Sequence, residues 1–227
     1  MKLLNRHPQR RGAGALTFVE VVIVTVIVSV LLAIVLMQHG QRRARAERIN
    51  CVNQLRSLGI AFRGFGIDLG GFPAQVSVTN GGTMELVGVA DTKAFGGIKA
   101  VWPHFQVLSN EINNPKILLC PADKLRTPAA SFATLSDSNI SYFLSVDSSD
   151  TMPNAFLAGD ANLLVGGQPA RPGLLVITSN APVAWSRARH DRQGNVLLGD
   201  GSVQSLSSTM LNRALAGSGL TNRLLMP

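Results

Sequence analysis

The chain changes its hydrophobic rhythm three times. From Leu16 to Met37 apolar residues are almost continuous, broken only by Thr17, Glu20, Thr25 and Ser29. From Gln38 to Phe65 they thin to a spacing of mostly three or four, with Ala44, Ile49, Val52, Leu55, Leu58 and Ala61 on one stripe and arginines on the other faces. From about residue 66 onward they form short runs bounded by Gly, Ser, Thr, Asn and Pro.

Each rhythm predicts an element. Leu16–Met37 is 22 residues without Gly or Pro. A helix of that length is roughly 33 Å long, enough for a hydrocarbon core of about 30 Å. It exceeds the roughly 7–15 residues of a secretory apolar region. The expectation is a basic leader over 1–15, a transmembrane helix over 16–37 and an amphipathic stalk helix over 38–65. A helix from about Thr17 to about Phe65 would be roughly 73 Å long. Residues 66–227 form an exported head, large enough to bury one core. There TMELVGVA, KILLC, ISYFLSV, GLLVITS, NVLLGD and SVQSL read as strands, the last two joined through Asp200-Gly201, a tight-hairpin signal. The fold class is α+β, a long N-terminal helix packed on a small, mostly antiparallel sheet.

Charge adds direction. Lys2, Arg6, Arg10 and Arg11 precede the span with no acid among them, so the leader stays cytoplasmic and the head is exported. Arg42, Arg43, Arg45 and Arg48 follow the span and oppose that signal. The net charge is +8 and the pI about 10.5, which would invite a nucleic-acid reading. Yet residues 64–227 hold 11 basic and 11 acidic side chains. The excess is an orientation signal plus one helix face, suited to lipid head groups or acidic neighbours. Nucleic acid is not the expected partner; DNA capture would appear as strongly salt-dependent binding.

Glu20 is the single charge of the span. A carboxylate costs up to roughly 2.5–3.5 kcal/mol at the bilayer centre. Glu20 lies about 6 Å from the start of the run, so its cost is smaller. It either sits in the membrane interface or meets a positive partner.

Gly14-Ala15-Leu16-Thr17-Phe18-Val19-Glu20 resembles the prepilin peptidase site of type IV pilins and type II secretion pseudopilins. The resemblance implies a pilin-like fold, cleavage between Ala15 and Leu16, N-methylation of Leu16, and no enzymatic activity. It makes Glu20 the assembly carboxylate, neutralising the new amine of a neighbouring copy. The implied partners are other copies in a periplasmic filament, the prepilin peptidase, the inner-membrane secretion platform and membrane lipid. The implied location is the bacterial inner membrane, single-pass. Ala15 stands where that family usually has Gly, and Met37 where it often has Pro. The competing readings are a signal-anchored periplasmic or surface binding protein that does not polymerise, and a DNA-uptake pseudopilin.

The head carries a second resemblance. Cys51-Val52-Asn53-Gln54-Leu55-Arg56-Ser57-Leu58-Gly59, LLCPAD at 118–123, ISYFLSVDSSD at 140–150 and LAGDANL at 157–163 resemble pseudopilin-like proteins abundant in Planctomycetes and Verrucomicrobia. The hallmark of that group, a C-terminal His, nine residues, then Asp-Gly, is matched by His190, Asp200 and Gly201. His190 and Asp200 are candidate metal ligands, an acid–base pair, or structural residues, with His190 hydrogen-bonded back to the turn. Cys51 and Cys120 are the two cysteines. Export makes a disulfide between them the expectation, worth on the order of 4 kcal/mol, with two buried free thiols as the alternative. No cofactor is expected except a Ca²⁺ option, by analogy with major pseudopilins, drawing on Asp147, Asp150, Asp160 or Asp200; EF-hand spacing is absent. Trp102-Pro103-His104-Phe105 reads as a ligand-facing loop or as an apolar cluster packed on the helix. No hydrolase elbow, zincin, P-loop or C-x-x-C motif is present, which agrees with a non-enzyme.

Overall fold

The protein is described from a computed structural model, which covers residues 17–87, 100–178, 181–217 and 222–227. The leader and the 15–16 cleavage position lie outside these residues. The chain divides into two compact units, Met1–Arg43 and Ala44–Pro227. Helix α1, Phe18–Leu69, has its first part in one and its second part in the other.

In the first unit, Phe18–Leu36 is a 19-residue stretch long and apolar enough to cross a membrane, and all its side chains are exposed. Its hydroxyls turn inward on the helix. Thr25 Oγ1 donates to the Val22 carbonyl at 2.9 Å, and Ser29 Oγ to the Thr25 and Val26 carbonyls. Such back-bonding satisfies polar groups without an outside partner. The helix opens with a capping box. The Glu20 carboxylate accepts from the Thr17 amide at 3.1 Å and from its hydroxyl at 3.2 Å, and the Glu20 amide donates to Thr17 Oγ1 at 3.4 Å.

In the second unit, α1 buries Cys51, Leu55, Leu58, Ala61, Phe62 and Phe65. This stripe keeps the three-to-four spacing but is rotated from the predicted one. Ala44 and Ile49 are exposed, and Cys51 and the phenylalanines take the inner positions. Phe62 meets Phe72 and Phe105 edge-on, at ring-centre distances of 5.9 and 6.1 Å. Phe105 lies on α2, Trp102–Gln106, followed by α3, Ser109–Ile112. The 102–105 segment is therefore a packing element, with Pro103, His104 and Phe105 buried.

Among the described residues nine strands follow: β1 Tyr142–Ser145, β2 Phe156–Asp160, β3 Leu163–Val165, β4 Gln168–Pro169, β5 Gly173–Ile177, β6 Val183–Trp185, β7 Gln193–Leu198, β8 Val203–Ser207 and β9 Asn222–Met226. Helix α4, Ser208–Gly217, precedes β9. The larger sheet runs β5-β9-β1-β2-β7-β8, and a smaller one β4-β3-β6. Every pairing is antiparallel. Successive strand residues point to opposite faces. Tyr142, Leu144, Ala158, Leu197 and Leu225 join the core under α1, whereas Phe143, Val196, Leu198, Leu224 and Met226 join a second core with Trp185 and with Leu211 and Leu215 of α4. The sheet is buried on both faces, which is why β1 and β2 are buried along their whole length.

Two predicted strands are corrected. KILLC begins with a 3-10 turn, Pro115–Leu118. Proline at its first position presets the turn, and Asn114 Oδ1 accepts from the Lys116 amide at 3.1 Å. Met84–Leu86 of TMELVGVA is likewise a 3-10 turn, and residues 88–90 lie outside the described residues. The hairpin forms as expected: the Gly201 amide donates to the Leu198 carbonyl at 2.9 Å, Gly201 takes φ 84°, and Asp200 Oδ1 accepts from the Ser202 amide at 2.8 Å.

Candidate metal centre

Four separate segments converge behind α1. Cys51 comes from the helix, Cys120 from the loop after the 3-10 turn, Asp160 from the end of β2, and His190 from the connection between β6 and β7. One ligand-type atom from each lies within 4.8 Å of all the others. Cys51, Cys120 and Asp160 have no exposed surface, and the His190 side chain is 2% exposed.

The contacts are specific. Cys51 Sγ lies 3.4 Å from Asp160 Oδ1 and 3.4 Å from the Tyr142 hydroxyl. Cys120 Sγ is 3.3 Å from His190 Nε2, and His190 Nε2 is 3.7 Å from Asp160 Oδ2. The latter oxygen accepts from Asn195 twice, from the backbone amide at 2.8 Å and from Nδ2 at 3.0 Å. Asn195 Oδ1 accepts from Ser205 Oγ at 2.6 Å, and Tyr142 donates to Gln54 Oε1 at 2.9 Å.

The backbone supporting His190 is strained. His190, Asp191 and Arg192 all take left-handed conformations, φ 50°, 48° and 62°. Non-glycine residues enter that region at roughly 1–2 kcal/mol each. Beside it, Arg189 lies 2.7 Å from Asp123 and donates to the Ser141 carbonyl at 2.6 Å. Ser141 Oγ donates to Asp123 at 2.8 Å. This buried network ties the 120–126 loop to the 186–192 segment.

Electrostatics polarise the cluster. The hydrogen bond with Cys120, then burial and the charge of Asp160, push the Cys51 thiol far up. Cys120 is drawn down to about 6, first by its hydrogen bond from Cys51 and also by His190, against burial. Burial pulls His190 down, but its contacts with Cys120 and Asp160 outweigh it and raise it. Burial raises Asp160 despite its positive neighbours, and raises Tyr142. The Cys120–His190 contact therefore lowers the thiol and raises the imidazole, each toward its charged form. Both are sealed from solvent, so no solute reaches the sulfur in this arrangement.

Several expectations change here. The two cysteines adjoin as foreseen but are free thiols; their sulfurs are engaged with Tyr142, Asp160 and His190 instead of bonded to each other. His190 turns to Cys120 and Asp160, not back to Asp200. The calcium carboxylates do not assemble. Asp147 accepts from Arg223 Nε at 2.8 Å and from its amide at 2.9 Å; Asp160 is inside the cysteine cluster; Asp150 and Asp200 border a hollow beside Arg63, whose Nη1 donates to the Asp200 carbonyl at 2.7 Å. Tyr142, Asn195, Asp123 and Arg189 escaped the sequence reading. Their only signal was polarity next to apolar strands, and that does not distinguish a buried partner from a solvated one. Comparison with family models, with curated proteins and with solved structures gives no match.

Proposed function

We propose that this protein is a pseudopilin-like structural subunit, anchored in the inner membrane by the first part of α1, with an exported, pilin-like α+β head. The observation that carries the reading is the Phe18–Leu36 stretch, exposed throughout and apolar except at Glu20, Thr25 and Ser29, opened by a capping box on Thr17 and Glu20. A side-chain surface of that kind requires lipid or copies of itself. The box also turns the Glu20 carboxylate toward the chain's N-terminal end. Cleavage between Ala15 and Leu16 would place a new amine one residue before Thr17. The carboxylate is then poised for that amine or for the amine of a neighbour, and two charges that are each costly in lipid become tolerable as a pair.

Mass spectrometry of the mature N-terminus tests this reading. The expected product begins at Leu16 and carries one N-methyl group. An intact Met1 leader would replace the reading with a signal-anchored protein that does not polymerise.

A further inference from the structure

We infer that Cys51, Cys120, Asp160 and His190 form a closed, four-coordinate site for Zn²⁺. This inference stands on the head alone and does not depend on the pseudopilin reading.

The ligand set is the first argument. Two thiolates, one imidazole and one carboxylate are the side chains Zn²⁺ takes, whereas Ca²⁺ and Mg²⁺ require oxygen throughout. Geometry is the second. Tetrahedral Zn²⁺ with Zn–S of about 2.3 Å and Zn–N or Zn–O of about 2.0–2.1 Å sets its ligand atoms roughly 3.3–3.8 Å apart. With Oδ1 as the carboxylate ligand atom, two edges measure 3.4 Å (Cys51 Sγ to Asp160 Oδ1) and 3.3 Å (Cys120 Sγ to His190 Nε2), and the other carboxylate oxygen, Oδ2, lies 3.7 Å from His190 Nε2. All four ligand atoms are within 4.8 Å of one another.

The surroundings are the third argument. A disulfide would use only the sulfurs and would leave a buried carboxylate facing a buried imidazole 3.7 Å away, beyond hydrogen-bond distance. A metal uses all four groups. Asn195 holds Asp160 Oδ2 with two hydrogen bonds, the kind of outer support that orients ligating carboxylates. The left-handed turn at 190–192 is the kind of local strain that persists where a site over-determines the backbone. With every position filled by protein and no opening to solvent, the site is structural, not catalytic. Binding displaces one proton from each thiol that carries one and the proton from His190 Nε2 where the ring is charged, so the sulfurs ligate as thiolates and the ring as neutral imidazole.

The test uses the full chain, purified in detergent under reducing conditions. Elemental analysis should find one zinc per chain. Exchange with Co²⁺ should give the intense visible bands of a tetrahedral site and a sulfur-to-cobalt charge-transfer band. Asn195→Ala should weaken Co²⁺ binding about 10–100-fold, and Asp160→Asn or His190→Gln should weaken it further. Asp147→Asn, remote from the cluster, should leave binding unchanged. Should Cys51→Ser fail to fold, the cobalt spectrum of the unaltered protein still decides. The inference is overturned by reduced full-length protein that takes up no stoichiometric zinc and shows no cobalt–thiolate band. It is equally overturned by a native protein two hydrogens lighter with Cys51 bonded to Cys120.

Discussion

His104 shows how one buried side chain gives the head a pH dependence. Its Nδ1 lies 2.6 Å from Thr83 Oγ1, its Nε2 has no hydrogen-bond partner, and burial lowers its pKa to about 4. An unfolded histidine titrates near 6.5. The folded state therefore favours the neutral ring, and the stability it contributes is complete above about 6.5 and is lost as pH falls toward 4. Denaturant unfolding at pH 7 and pH 4.5 should show wild type losing about 2 kcal/mol more than His104→Gln over that interval. Equal losses would mean the ring is protonated in the fold. Little of this was legible beforehand. His104 sits in a Trp-Pro-His-Phe run that reads as packing or as ligand-facing, and only its neighbours decide. The same holds at the metal centre. Cys51, Cys120, Asp160 and His190 each stand out singly, but their convergence depends on strand order, which no local spacing encodes.

At the scale of elements, α1 was the most legible part, because its two rhythms are strong and its length is set by composition. The rotation of its inner stripe was not, because Cys51 counts as chemistry in a sequence and as apolar filling in a core. Strands β1, β5, β7 and β8 announce themselves by β-branched and leucine runs. Strands β2, β3 and β9 do not: FLAGD carries a glycine and a buried aspartate, β3 is three residues long, and β9 opens on the polar pair Asn222-Arg223. Gly59 lies where α1 packs closely on the β7–β8 hairpin. A Cβ there would lie 2.8 Å from Leu197 Cδ1 and 3.3 Å from the Gly201 backbone. Alanine is the better helix former by about 1 kcal/mol, but overpacking costs about 1–3 kcal/mol. Gly59→Ala should thus lower stability by about 1 kcal/mol in chemical unfolding; a gain would mean that α1 can move off the hairpin.

For the whole molecule, the absence of a sulfur–sulfur bond has a direct thermal consequence. The head rests on two cores, one on each face of a six-stranded sheet, and on buried polar contacts, not on a covalent staple. Adding a thiol reductant should leave the melting temperature of the native protein unchanged. Removing a native disulfide from a small exported domain typically costs about 2–5 kcal/mol, so a fall of many degrees on reduction would restore the bridge. The α+β class was readable because a helical rhythm gives way to short runs with turn residues between them. The division of the strands into a six-stranded and a three-stranded sheet was not, since both are written in the same alternation.

One contact at the edge of the smaller sheet bears on how copies of this chain could join. Asn212 accepts from the Val183 amide at 3.0 Å and donates to its carbonyl at 2.6 Å, and Ser208 Oγ accepts from the Trp185 amide at 3.0 Å. Side chains from α4 thus engage the outer row of β6 as a neighbouring strand would. That margin is closed to a strand from another molecule, and polymerisation by β-augmentation there is blocked from within the chain. Asn212→Ala would uncover the row, and the variant should gain a tendency to associate through it, visible as a concentration-dependent rise in light scattering.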